Sequence, residues 1–187
     1  MIRLTKIFEL QPFARAVYKK PGQEGHDVDG YDRKTFHKGE AALFTPRGGG
    51  KRVLAFRGTQ SAYDAATDVG IVTKRKSVLG VKTPYGRRMG RMEKLAKKLV
   101  KKLGRNKLVM TGHSLGGHIA EKLACKFKVL ATVFNKGAFF DKTCKEVTSL
   151  RQRGDMISLF GRGNTMVGKY DLDPLRAHGL HNFKAKK

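Results

Sequence analysis

Gly112-His113-Ser114-Leu115-Gly116 puts a serine between two glycines at the G-x-S-x-G spacing of a nucleophile elbow. At such an elbow the chain leaves a strand and enters a helix with almost no loop between them. The backbone at the serine is strained, side chains are crowded out, and the hydroxyl projects above the sheet edge. The helix N-terminus directs N–H groups at developing negative charge. A serine hydroxyl is a weak nucleophile by itself. It needs a general base, usually histidine, and a carboxylate to orient that base. Four aspartates follow Ser114: Asp141, Asp155, Asp171 and Asp173. His178 and His181 are the late histidines. A serine, a carboxylate and an imidazole in these positions could carry acyl transfer through a covalent acyl-enzyme.

The flanking elements suit this chemistry. The apolar run Leu108-Val109-Met110 predicts a strand entering the elbow, and Ile119, Ala120, Leu123, Ala124 and Phe127 predict a buried helix leaving it. Gly117 allows close packing between them. Tyr85 to Leu103 is the clearest helix, with Met89, Met92, Leu95, Leu99 and Leu103 three and four residues apart and Gly104 at the C-cap position. Its other face carries Arg87, Arg88, Arg91, Lys94, Lys97, Lys98, Lys101 and Lys102. Glu40–Thr45 and Arg52–Phe56 read as a β-hairpin across Pro46 and three glycines. Thr5 to Tyr18 has helical spacing, with Pro12 starting or kinking the helix and Pro21-Gly22 closing it. Val129–Phe134 predicts a strand covered on both faces, and Val147–Leu150 and Met156–Phe160 are weaker strand candidates around Gly154-Asp155. Beyond Phe160 the pattern reads mostly as loop. Strands alternating with helices predict an α/β layer fold with a largely parallel sheet.

Two blocks resemble the class 3 lipases. Thr111 to Ala120 is similar to that family's TGHSLGG-x-x-A block, and Val53 to Ser61 is similar to its upstream v-x-a-F-R-G-T-x-S block, with Asp68 where that block continues toward an aspartate. The resemblance runs from about Ala41 to Phe183. It implies a compact α/β-hydrolase fold, a mostly parallel sheet flanked by helices, in one domain over residues 1–187. It implies that Ser114 attacks an ester carbonyl, with an oxyanion hole from the N–H groups of Leu115 and Thr59, the Thr59 hydroxyl assisting. Chain order in this fold is Ser, Asp/Glu, His. Arg153-Gly154-Asp155-Met156-Ile157 resembles the family's strand end, which favours Asp155, with Asp141 and Asp173 as alternatives. His178-Gly179-Leu180-His181-Asn182-Phe183 resembles a C-terminal ending of some class 3-like proteins, which makes His178 the base and His181 the alternative. The usual lid region, Ser61 to Pro84, is short and polar-basic and includes Lys74-Arg75-Lys76, so a conventional amphipathic lid is not expected. The His-x-Gly-Phe element usual in the family is replaced by Val81-Lys82-Thr83-Pro84-Tyr85.

The composition adds a second theme. Forty Lys+Arg stand against fifteen Asp+Glu, a formal charge of +25 over 187 residues. Residues 74–107 hold fourteen basic residues and one acidic residue, Glu93, and a short basic tail ends the chain at Lys184–Lys187. Such a field attracts anionic lipid, nucleic acid or acidic proteins. Cations near a site mouth attract anionic headgroups by about 1 kcal/mol each. The expected partners are therefore a lipid or ester substrate, with an anionic membrane surface or nucleic acid as further candidates. An inactive hydrolase scaffold binding polyanions, for example in a virion, is the alternative function. No apolar run reaches the ~18 residues that span a bilayer, and the N-terminus lacks signal-peptide features. Cys125 and Cys144 are too few for a disulfide framework, so a reduced intracellular setting, host cytoplasm or virion, is expected. His118 and Glu121 share a helix with Ser114, but no second ligand pair has zinc spacing, so neither metal nor organic cofactor is expected.

Overall fold

The computed structural model describes residues 8–59, 77–78, 81–82, 84–137, 143–155, 164–168 and 173–183. Asp68, Asp141, Asp171, Lys74–Lys76, the strand candidate Met156–Phe160 and the basic tail lie outside the described residues.

Pro12 sits in the first turn of α1, Gln11–Ala16, where its missing N–H costs nothing, after a 3-10 turn at Phe8–Leu10. β1, Tyr31–Phe36, alternates half-buried and exposed residues and forms the sheet edge. β2, Ala41–Pro46, and β3, Arg52–Phe56, form the expected hairpin. Along both strands successive side chains point to opposite faces. Ala41, Leu43, Leu54 and Phe56 enter one core, whereas Ala42, Phe44, Val53 and Ala55 meet Phe13, Ala16 and Val17 of the α1 region on the other.

A two-residue antiparallel ribbon, β4 at Ser77–Val78 and β5 at Val81–Lys82, precedes α2, Pro84–Leu103. α2 buries Met89, Met92, Leu95 and Leu99 against the first core, as its spacing predicts. Gly104 at φ 83° terminates it, with its N–H donated to the Val100 carbonyl at 2.9 Å. β6, Leu108–His113, leads through Ser114 into α3, Leu115–Phe127. β7, Leu130–Phe134, and β8, Val147–Gln152, follow. β9, Asn164–Val167, and the five-residue α4, Pro174–His178, stand where the sequence reads as loop.

The seven long strands form one sheet in the order β1-β2-β3-β6-β7-β8-β9. β1 to β3 pair antiparallel, and the four remaining pairings are parallel. The register sets Phe56 beside Gly112 and His113 beside Phe134. The carboxyl ends of β3, β6, β7 and β8 therefore converge on the elbow, where open α/β sheets place their sites. Phe183 packs edge-on against Phe134 at 5.0 Å between ring centroids and ties the last described segment to the sheet.

Two expectations need correction. Cys125 and Cys144 are joined in a disulfide linking the end of α3 to the approach to β8, which removes the argument for a reduced compartment that the cysteine count carried. Two cysteines cannot build a framework, yet one bridge needs only that tertiary packing bring two Cα atoms to about 5.7 Å. Arg88 does not share the solvated face of α2. It is largely buried, donates to the Arg57 carbonyl and lies 3.9 Å from Glu40. It thereby anchors the first half of α2 to the chain just before Thr59.

Candidate active site

Ser114 occupies a backbone conformation that L-residues rarely adopt, φ 55° and ψ −129°. Three glycines permit it. A Cβ on Gly112 would stand 2.4 Å from the Gly116 backbone, and one on Gly116 would stand 2.1 Å from the Phe56 carbonyl oxygen. Gly117 lies under the Gly112 and Phe134 carbonyls. The Ser114 N–H donates to the Phe134 carbonyl at 3.1 Å, and its own carbonyl accepts from His118 N–H at 3.1 Å. The turn is therefore fixed at both ends. Only 3% of Ser114 is exposed.

Gly58 fits closely against this turn, since a Cβ there would stand 3.3 Å from Ser114 Cβ. The neighbouring Thr59 Oγ1 is buried and has no hydrogen-bond partner among the described residues. Leu115, the other oxyanion candidate, is the first residue of α3, so its N–H belongs to the helix N-terminus.

Asp155 follows β8, and His178 ends α4. The structure joins them: His178 Nδ1 lies 3.0 and 3.1 Å from the two Asp155 carboxylate oxygens, with both side chains buried. His178 Nε2 is also buried and has no partner among the described residues. A buried imidazole nitrogen left unpaired costs roughly 1–3 kcal/mol, which marks it as a place to look for function. No hydrogen bond joins it to Ser114 Oγ in this structure; such contacts commonly tighten only in the substrate complex.

His181, the alternative base, is exposed, with its ring against Gly179. Asp173, an alternative carboxylate, is exposed and accepts the Arg176 N–H at 3.1 Å, capping α4. His118 bonds Tyr85 through Nε2 at 2.9 Å and so attaches the start of α2 to α3. Glu121 is engaged by Lys136 Nζ at 2.7 and 2.8 Å and by the Thr143 hydroxyl at 2.7 Å, a fully buried ion pair.

Asn135 and Tyr18, which the sequence did not single out, hold the site together with His113 of the elbow. Asn135, in the positive-φ conformation that asparagine tolerates, donates to the Ala177 and His178 carbonyls at 3.0 and 2.9 Å. Its side-chain oxygen accepts the Gln152 N–H at 2.8 Å. His113 Nε2 bonds the same His178 carbonyl at 2.6 Å, and the two imidazoles stack obliquely at 4.8 Å. Burial, reinforced by the nearby His178, pushes the His113 pKa down to about 3, so this ring is neutral. The Nε2 contact to a carbonyl fixes its proton on Nε2 and leaves Nδ1 an acceptor. Tyr18 then donates to that Nδ1 at 3.3 Å while accepting the Gly58 N–H at 2.8 Å. Burial raises the Tyr18 pKa to about 12, which keeps the hydroxyl protonated for this role. No periodicity marks Tyr18 or Asn135, because their partners lie far away along the chain.

Strained serine, converging strand ends and a carboxylate–imidazole pair define the class: an α/β-hydrolase of the lipase type. The solved folds agree. The Rhizomucor miehei lipase–propeptide complex superposes with a TM-score of 0.64 at 13% identity, covering 91% of this chain and 68% of that one. Lip2 lipase from Yarrowia lipolytica gives 0.54 at 15% identity, covering 81% and 71%. MDLA of Penicillium cyclopium gives 0.55 at 15%, covering 89% and 80%. At such identities these likenesses concern the fold alone. No curated protein matches the sequence. The profile of the Tle-like phospholipase domain matches residues 18–173, and the chain belongs to that phospholipase-like family.

Proposed function

We propose that the protein hydrolyses carboxylic esters of lipids, in the manner of a phospholipase, through an acyl-enzyme on Ser114. The observation that carries this reading is the His178 ring, held by Asp155 through Nδ1 while its buried Nε2 has no partner among the described residues. Ser114 Oγ attacks the ester carbonyl carbon and passes its proton to His178 Nε2. Asp155 accepts the Nδ1–H and stabilises the imidazolium. The tetrahedral oxyanion is held by the Leu115 N–H and by Thr59. Collapse expels the alcohol, which takes the proton from His178. Water then attacks the acyl-enzyme by the same route in reverse and releases the carboxylate. Each oxyanion donor contributes roughly 3–4 kcal/mol to such a step. Membership of a phospholipase-like family supports lipid esters as the substrate class.

A fluorophosphonate probe tests the nucleophile, paired with a panel running from short nitrophenyl esters to anionic phospholipid vesicles. Wild type is expected to label and turn over, and Ser114→Ala to do neither, with kcat lower by about 10⁶-fold. Labelling that persists in Ser114→Ala would remove the assignment. A second reading, a scaffold that holds anionic lipid or nucleic acid, draws on the exposed lysines of α2. It requires salt-sensitive polyanion binding with no ester turnover.

A further inference from the structure

A groove of about 610 Å³ lies between β1–β2 and the second half of α2. It starts beside Arg91, whose guanidinium pairs with Glu40 at 2.6 Å. It then runs toward Arg52 and Leu103. Arg52 pairs in register with Leu108 at the start of β6, so that end of the groove points away from the elbow at the other end of β6. The floor is apolar: Phe36, Leu43, Leu95, Leu99 and Leu103. Both rims are cationic, with Lys34 and Arg52 on the strand side and Lys94, Lys98 and Lys102 on the helix side. Among the described residues no carboxylate lines it. Lys34 Nζ leans over the Phe36 ring at 5.8 Å, so even the rim places charge directly above apolar surface.

Cations on two sides of an apolar trough focus a positive field along it. Lysine stems extend the apolar walls and keep their ammonium groups at the mouth. The volume falls within the ~300–1,000 Å³ of small-molecule sites. From Arg91 to Leu103 the helix wall is about 18 Å long at 1.5 Å per residue. A long, narrow, concave surface of this kind suits one extended chain better than the plane of a bilayer.

We infer that the groove binds a single-chain anionic amphiphile, its alkyl chain along the floor and its anionic head among the rim lysines. That a fatty carboxylate of this type is also what Ser114 would release rests on the esterase reading; the chemistry of the groove does not.

Laurate, kept below its micelle concentration, is the probe. It is titrated calorimetrically into the Ser114→Ala protein at about 0.15 M salt, where exposed charges further apart than ~8 Å are largely screened. One saturable site is expected. Adding Lys94→Glu and Lys98→Glu should weaken it at least tenfold, and Lys34→Glu should act in the same direction from the opposite wall. Lys97→Glu with Lys101→Glu makes the same change in net charge outside the groove and should alter affinity less than twofold. Acetate and inorganic phosphate at equal concentration should not compete. Equal losses in the two lysine pairs, competition by acetate, or no saturable laurate site would each overturn the proposal. Binding to anionic vesicles without binding of free laurate would also overturn it, pointing to a membrane surface instead. Ester turnover of the wild type is measured in parallel. A protein that binds laurate but never turns over supports the groove and sinks the esterase reading, and the converse result does the reverse.

Discussion

The elbow and the groove along α2 handle polar groups in opposite ways. At the elbow Ser114, Asn135, Asp155 and His178 are all nearly inaccessible to water, and His113 is held neutral against its ordinary pKa. Along α2 the lysines stay in solvent beside a bare apolar trough. The same contrast holds for glycine. Gly116 has backbone where a side chain would go, whereas Gly90, inside α2, has nothing within 4 Å. The large positive charge therefore belongs to the surface and not to the proposed chemistry. One region depends on placement to within an ångström, and the other depends on charge and apolar area.

After Ser114→Ala, Asp155→Asn should have the largest effect: a fall in kcat of about 10⁴-fold with the fold retained, from loss of the carboxylate that orients His178. Steady-state rates and circular dichroism on the same preparation check it. His181→Gln should leave the rate unchanged, and equal losses in the two variants would blur the distinction between the paired and the exposed histidine.

Gly116→Ala should cost about 3 kcal/mol or more in urea unfolding, because the new methyl meets backbone that can move only with the helix. Cys144→Ser lies outside both regions. It opens a loop of 19 residues in sequence separation and should cost about 3 kcal/mol, with turnover retained below the melting temperature.

Acidification probes the buried half. His113 stays neutral in the fold down to about pH 3, whereas the unfolded chain protonates it below its ordinary value near 6.5. The unfolded state thus binds more protons between those limits. Stability from this group is present above pH 6.5 and is lost as pH falls toward 3, at about 1.4 kcal/mol per pH unit. Urea titrations at pH 4 to 7 should show this slope, and His113→Gln should flatten it. The smallest effect belongs to the open half: Gly90→Ala should stabilise the protein by about 0.4–1 kcal/mol by restricting the unfolded chain.

Legibility in the sequence followed range along the chain. α2 and the β2–β3 hairpin were readable because their signals, periodicity and turn residues, are local. The elbow was readable because its steric demands fall within six residues, and the chain order of serine, carboxylate and histidine came with the family resemblance. β1 was not read, since an edge strand spelled Tyr-Asp-Arg-Lys-Thr-Phe has little apolar content to alternate. β9 and α4 are too short to show a period. Tyr18, Asn135, Lys136 and the disulfide escaped because each is defined by a partner distant in sequence; Tyr18 and His113 stand 95 residues apart. Arg88 looked like its helical neighbours and was turned inward by Glu40 and the Arg57 carbonyl, which no pattern within α2 reveals.

The carbonyl of His178 is held by Asn135 and His113, both anchored in the central strands. The imidazole is thus bolted to the same chassis as the serine. The separation of the two is accordingly set at Asn135 and His113, and a change at either would retune it.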